Sequence, residues 1–267
     1  MWKEIGLLGR DNLLKTKIMP RLKSRVGFVL VGQRGIGKTA ILEWAYDHAD
    51  GRKAFISCSN STKEILSDIC YSWGLEVMNP DGEIMPRSKW QLPWMEKAIL
   101  AEQGHIIFID DVQMMKPATI QRFKAFRDRF VLICTAVPPI RKDDLKRMLF
   151  GLQYIDVPPL AKKDMERIGN KATTKIQSST PVIDAVHAAR GIPAHLLHAL
   201  RGEVTPDAVR GKDEEVDIAP AFLLLVAGMM AFRYIGRGLD STALTLLGGV
   251  GMAGTMIFRF FLFRGMK

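Results

Sequence analysis

Eight consecutive residues, Gly32-Gln33-Arg34-Gly35-Ile36-Gly37-Lys38-Thr39, limit what this chain can fold into more than any other stretch. They follow the apolar run Val26 to Val31 and lead into Ala40-Ile41-Leu42-Glu43-Trp44-Ala45, so a buried strand should pass through the loop directly into a helix. The spacing is G-x-x-x-x-G-K-[ST], and between a strand and a helix it has a mechanism. Glycines at those turns let the backbone close over a phosphate chain with its amides pointing inward. Lys38 would then meet the β- and γ-phosphates, Thr39 would offer a hydroxyl to Mg²⁺, and the helix starting near Gly37 would add its positive dipole end. The stretch from Gly32 to Thr39 is therefore expected to hold nucleotide phosphates.

A second chemical element lies at His105-Ile106-Ile107-Phe108-Ile109-Asp110-Asp111. The apolar run has the character of a central parallel strand, and it ends in two carboxylates. Beside a phosphate loop, the first acid can help hold Mg²⁺ and the next can polarise the attacking water. Lys53 to Cys58, Phe130 to Ala136 and Tyr154 to Val157 read as further strands, the second of these ending near the polar Thr135. Ser61 and Glu64 form a capping box ahead of a helix reaching Trp73. Asp11 or Asn12 is available as the N-cap of an opening helix, and Met78 to Pro93 reads as a long surface loop. Strands alternating with helices imply an α/β fold, a parallel sheet with helices on both faces. From Leu160 to Arg201 the pattern turns purely helical, broken at Thr180-Pro181 and Gly191-Ile192-Pro193, which predicts a small α-helical lid.

Of the net charge of +10, the final 51 residues contribute +3, from five basic and two acidic side chains, and the first 216 contribute +7. So mild an excess permits nucleic acid as a partner without indicating it. Cys58, Cys70 and Cys134 are odd in number, lack metal-ligand spacing and sit in apolar runs, so they are expected to be reduced and buried. Met1 to Ile5 lacks the apolar core of a signal peptide.

Two apolar stretches close the chain, Ala219 to Ile235 and Ala243 to Phe263. A bilayer core of about 30 Å takes about 20 helical residues. The second stretch meets that length and the first is marginal, with Arg233 snorkelling toward the connecting loop. Gly249 with Ala253, and Gly251 with Thr255, give small-xxx-small spacing suited to close helix packing. The expectation is a C-terminal transmembrane hairpin with the nucleotide site facing the cytoplasm. A greasy hairpin packed on protein is the alternative.

The order of these pieces resembles the AAA+ ATPases, in the branch of origin-recognition, transposition-associated and STAND-like NTPases. The loop GQRGIGKT is similar to that branch's G-x-R-G-x-G-K-T, and Gly9-Arg10-Asp11 to a box near the adenine. The resemblance implies ATP and Mg²⁺ as cofactors, with Gly32 to Thr39 and Arg10 around the nucleotide, and Thr39 and Asp110 on the metal. It further implies Asp111 on the water, Thr135 sensing the γ-phosphate, and Arg147 as a finger for a neighbouring subunit, with Arg141 a weaker candidate. Two departures stand out. The second acid is an aspartate where glutamate is commoner, and Gly191-Ile192-Pro193 is followed by Ala194 instead of a nucleotide-contacting arginine.

These features divide the chain into an α/β nucleotide-binding domain at 1–159, a lid at 160–201, a linker at 202–217 and a two-helix anchor at 218–267. The function expected is that of a membrane-anchored ATPase, assembling as a homo-oligomer and remodelling or switching a protein partner whose identity these residues do not reveal. A nucleic-acid-associated transposition or replication accessory, and a slow-turnover nucleotide switch, are the alternatives.

Overall fold

The computed structural model of the protein describes residues 7–174, 178, 180–203 and 235. All but Ile235 belong to the unit Met1–Val209. The two apolar stretches expected to form a membrane hairpin lie, with that one exception, outside the described residues. Among the described residues no helix is long and apolar enough to cross a membrane.

Five strands, β1 (Phe28–Val31), β2 (Lys53–Ser57), β3 (Ile106–Asp110), β4 (Val131–Ala136) and β5 (Gln153–Asp156), form one sheet in the order β2-β3-β4-β1-β5. Every pairing is parallel. Central parallel strands are covered on both faces, which is why β1, β3 and β4 read as continuous apolar runs instead of alternating ones. The pleat sends Val29, Ile56, Ile107, Ile109 and Cys134 to one face, against α3 (Thr62–Trp73), α4 (Leu92–Leu100) and α5 (Pro117–Phe126). Phe28, Leu30, Phe108, Ile133 and Ile155 take the other face. There they meet α1, which runs through Asp11–Leu13, a π-helical Leu14–Ile18 and Met19–Lys23, and α2 (Lys38–His48).

The capping box forms as expected: Ser61 Oγ accepts from Glu64 N and the Glu64 carboxylate accepts from Ser61 N. The opening helix differs. Its N-cap is Arg10, with no side-chain cap, because the turn from Leu7 to Arg10 and Gly9 at φ +74° already set the direction of the chain. Asp11 falls instead in the first turn, where its charge complements the dipole. The loop from Met78 to Pro93 is also more ordered than expected. Met78 and Ile84 pair antiparallel around Asn79, whose Oδ1 accepts from Asp81 N and Glu83 N, and a 3₁₀ turn follows at Arg87–Lys89. Trp90 is buried and donates Nε1–H to Met85 O, anchoring the loop to the core. Pro93 stands in the first turn of α4, where a missing N–H leaves no bond unmade.

After β4 the chain forms α6 (Asp143–Met148), returns through β5 and enters three lid helices, α7 (Lys162–Thr173), α8 (Val182–Ala189) and α9 (Pro193–Leu200). They share a core of their own around Met165, Ile168, Leu196 and Leu200. Gly191, at φ +80°, joins α8 to α9, and its carbonyl accepts from Leu160 N at 2.9 Å. A Cβ there would stand 2.7 Å from the Leu160 carbonyl oxygen, so both the angle and the space require glycine. Gly191→Ala is expected to destabilise the protein by about 1–3 kcal/mol, measured by urea denaturation; an unchanged midpoint would show that the joint adapts.

Candidate functional site

The loop after β1 opens at the C-terminal edge of the sheet, the side on which parallel α/β sheets bind ligands. Gly35 and Gly37 adopt φ +80° and +100°. Gly37 is also the N-cap of α2 and has open space where a Cβ would stand, so backbone amides and the helix dipole face the same opening. Lys38 is buried within the loop and donates Nζ–H to Gly32 O and Gln33 O, each at 2.9 Å. Burial lowers its pKa, while Asp111 and Asp110 act to keep it charged. Gln33, Arg34 and Thr39 are exposed around this charge, and Ile36 is buried beneath it.

The two acids at the end of β3 are held differently. Asp110 Oδ1 accepts from Thr135 Oγ1 at 2.6 Å, and Asp110 Oδ2 from Thr39 Oγ1 at 3.0 Å. One carboxylate thus joins the phosphate loop's helix to β4. Asp111 turns into the left-handed region at φ 51° and donates its N–H to Thr135 Oγ1 at 2.8 Å. Thr135 is fully buried, and its hydroxyl serves both acids, as donor to one and acceptor from the other. The predicted metal and water acids, the sensor threonine, Lys38 and Thr39 are therefore assembled in one place.

Around them lies a cleft of about 620 Å³, within the range of small-molecule sites. One side carries the phosphate loop and Asp111. The other is apolar, with Leu7, Leu8, Leu160, Ile168 and Pro193. Ala194 stands where the resemblance places an arginine, and its N–H donates to Gly35 O at 3.2 Å, so the lid rests directly on the loop. Arg10 lines the cleft, but its guanidinium is buried and donates to Pro158 O and to Ile36 O, the latter at 3.0 Å. Its donors are used to brace the loop from behind, and burial lowers its pKa against the opposing pull of Asp164. Arg147 is exposed on α6 and Arg141 is exposed just before it; neither lines the cleft.

Residues 23–155 match the family model described as an AAA domain. Over this stretch the chain is similar to an AAA domain. Comparison with curated proteins gives no match. Among solved structures, the Orc1 protein of Aeropyrum pernix in complex with DNA is similar at 14% identity and a TM-score of 0.52, covering 89% of this chain and 74% of that one. The Thermotoga maritima RuvB Holliday junction branch migration motor matches at 14% identity and 0.48, covering 76% and 68%. Domain III of the Thermotoga maritima replication initiation protein DnaA matches at 19% and 0.47, covering 78% and 93%. At these identities the likeness to Orc1 is one of fold.

The residues around the cleft suit a nucleotide with Mg²⁺. Thr39 and Asp110 offer the hard oxygen donors that Mg²⁺ takes and would hold it together with the phosphates; among the described residues no group of three or more His, Cys, Asp or Glu forms a metal site by itself. Several cleft residues carry no legible sequence signal. Leu7, Leu8, Ser57 and Ser59 reach the wall only through the sheet and lid packing. Gln113, also on the wall, follows the acids by two positions, and that spacing is the one clue that could have singled it out. The cysteines are free and buried as expected, and burial pushes the Cys58 thiol up to about 12, with Asp110 and Asp111 adding to the shift. At neutral pH it is an inert core group.

Thr135→Val keeps the shape of the buried side chain and removes the hydroxyl, leaving Asp110 Oδ1 and Asp111 N–H each short of a partner. The expected result is a loss of about 1–3 kcal/mol in urea denaturation. Stability equal to wild type would mean that the two acids are held without Thr135.

Proposed function

We propose that this protein binds ATP with Mg²⁺ and hydrolyses it. The observation that carries this reading is the single hydroxyl of Thr135 connecting both acids, beside a phosphate loop whose lysine is held on loop carbonyls. Lys38 would exchange the Gly32 and Gln33 carbonyls for oxygens of the β- and γ-phosphates, and the amides of the loop would receive the rest of the chain. Thr39 and Asp110 would hold Mg²⁺, which when bound neutralises charge on the phosphates. Asp111 would orient a water toward the γ-phosphorus and take up its proton as the bond to the leaving diphosphate breaks. Thr135 would hold both acids in register with the γ-phosphate. The base would rest among Leu7, Leu8, Leu160 and Ile168. Arg147, exposed on α6, would serve the site of a neighbouring copy in a homo-oligomer, with Arg141 as the second candidate.

Ala194 favours a second reading, a nucleotide switch of slow turnover. Its position on Gly35 closes the lid without bringing a cation to the phosphates. A direct test uses two variants. Lys38→Ala should lose nucleotide binding and remain folded, whereas Asp111→Asn should bind as wild type does and fail to turn over. Single-turnover hydrolysis decides between the readings: product formed at a rate that Asp111→Asn abolishes supports the enzyme, and tight binding with no product supports the switch.

The finer proposal is attachment to the inner or cytoplasmic membrane through residues 219–263, with the AAA domain on the cytoplasmic side and the work of hydrolysis done on a protein partner. Its support is the length and apolar character of Ala243 to Phe263. The alternative is a nucleic-acid-associated ATPase whose tail docks on protein, which the modest basic excess permits without indicating. Fractionation separates them. Release from membranes by detergent, and not by salt or alkali, is expected; recovery of the full chain in the soluble fraction without detergent would end the membrane proposal.

A further inference from the structure

Gln113 belongs to the 3₁₀ turn Val112–Met114 that follows Asp111. Its side chain makes two bonds of opposite sense. Nε2 donates to Asp111 Oδ1 at 3.0 Å, and Oε1 accepts from Val137 N at 3.3 Å. The amide has only one orientation that satisfies both, because a main-chain N–H must meet the oxygen end and a carboxylate must meet the nitrogen end. Asp111 is thus held twice from the same strand end. Its N–H reaches Thr135 Oγ1 on β4, and its carboxylate reaches Val137, just past β4, through Gln113. Its backbone sits at φ 51° and ψ 53°, a left-handed conformation that is uncommon outside glycine and that aspartate tolerates better than most residues. The turn is also clamped from behind. Lys142, the N-cap of α6, donates Nζ–H to Gln113 O at 3.0 Å and Met115 O at 3.1 Å.

We propose that Gln113 is a positioning residue for hydrolysis, fixing the Asp111 carboxylate against the end of β4 so that Oδ1 is engaged and Oδ2 is left to take the proton of the attacking water. An aspartate side chain free to rotate would spend part of its time misdirected, and a displacement of that size costs rate without costing affinity. The lysine clamp ties the same turn to the start of α6, the helix that carries Arg147. The proposal rests on the reading of Asp111 as the acid that orients water.

The test measures ATP-Mg hydrolysis and, separately, nucleotide affinity for full-length wild type, Gln113→Ala, Gln113→Glu and Asp111→Asn. Gln113→Ala should lower kcat by about 10-fold to 100-fold, with nucleotide affinity unchanged. Gln113→Glu supplies the distinguishing readout. Its carboxylate can accept from Val137 but cannot donate to Asp111 until protonated, and the neighbouring negative charge raises the pH at which that happens. Its activity relative to wild type should therefore rise as the pH falls. A packing role alone would give no such recovery. Gln113→Ala with the kcat of wild type, or a Gln113→Glu profile parallel to wild type at every pH, overturns the proposal. If Asp111→Asn is inactive in that case, only the role of Gln113 fails. If Asp111→Asn hydrolyses ATP like wild type, the assignment of Asp111 itself fails, and the positioning role falls with it.

Discussion

The Asp110 carboxylate, accepting from Thr39 on one oxygen and from Thr135 on the other, is the contact on which the rest of the site depends. It connects three elements that are far apart in the chain: the helix after the phosphate loop, the end of β3 and the end of β4. Charge-assisted bonds to an ionised acceptor are stronger than neutral ones. Here one of the hydroxyl donors is fully buried, so water does not compete for it. The strand order gives this contact its chance. Placing β4 between β3 and β1 brings Thr135 between the acids and the loop.

The positive charge of Lys38 is the counterpart. It lies under the loop with two carbonyls and two nearby acids, and burial works against its charge. A buried ammonium whose hydrogen bonds go only to neutral carbonyls gains by meeting phosphate oxygens, which carry full charge. The geometry of the loop therefore favours an anion. Arg10, by contrast, has satisfied its guanidinium on Pro158 and Ile36, and its contribution is to hold the loop's shape.

The lid is tied to the same loop by backbone. Ala194 N–H meets Gly35 O, and a Cβ on Gly35 would stand 2.6 Å from the Ala194 Cβ. Lid and loop are thus in direct contact at a point where Gly35 has no room for a side chain unless Ala194 moves. That contact joins the loop to α9, which packs into the lid core around Leu196 and Leu200.

Much of this was legible in the amino-acid order. The phosphate loop, the acid pair after an apolar run and the alternation of strands and helices are local patterns, set by the continuous apolar runs of strands buried on both faces, the turn geometry of glycine and the chemistry of capping. Each can be read within a dozen residues because the forces that produce it act within that span. The parallel sheet, the three lid helices and the clustering of Lys38, Thr39, Asp110, Asp111 and Thr135 follow from them. Other features required the folded chain. That Arg10 braces the loop, that Ala194 lies on Gly35, and that Gln113 connects Asp111 to Val137 depend on side chains and backbone groups brought together by packing. No periodicity records such contacts. The start of α1 shows the same limit, since a nearby glycine turn overrode the preference of Asp11 for the cap. Local chemistry was written in the sequence; the partners of each polar group were decided only when the sheet and lid closed around them, because a hydrogen bond between distant residues is set by the fold's geometry and not by the neighbours of either residue along the chain.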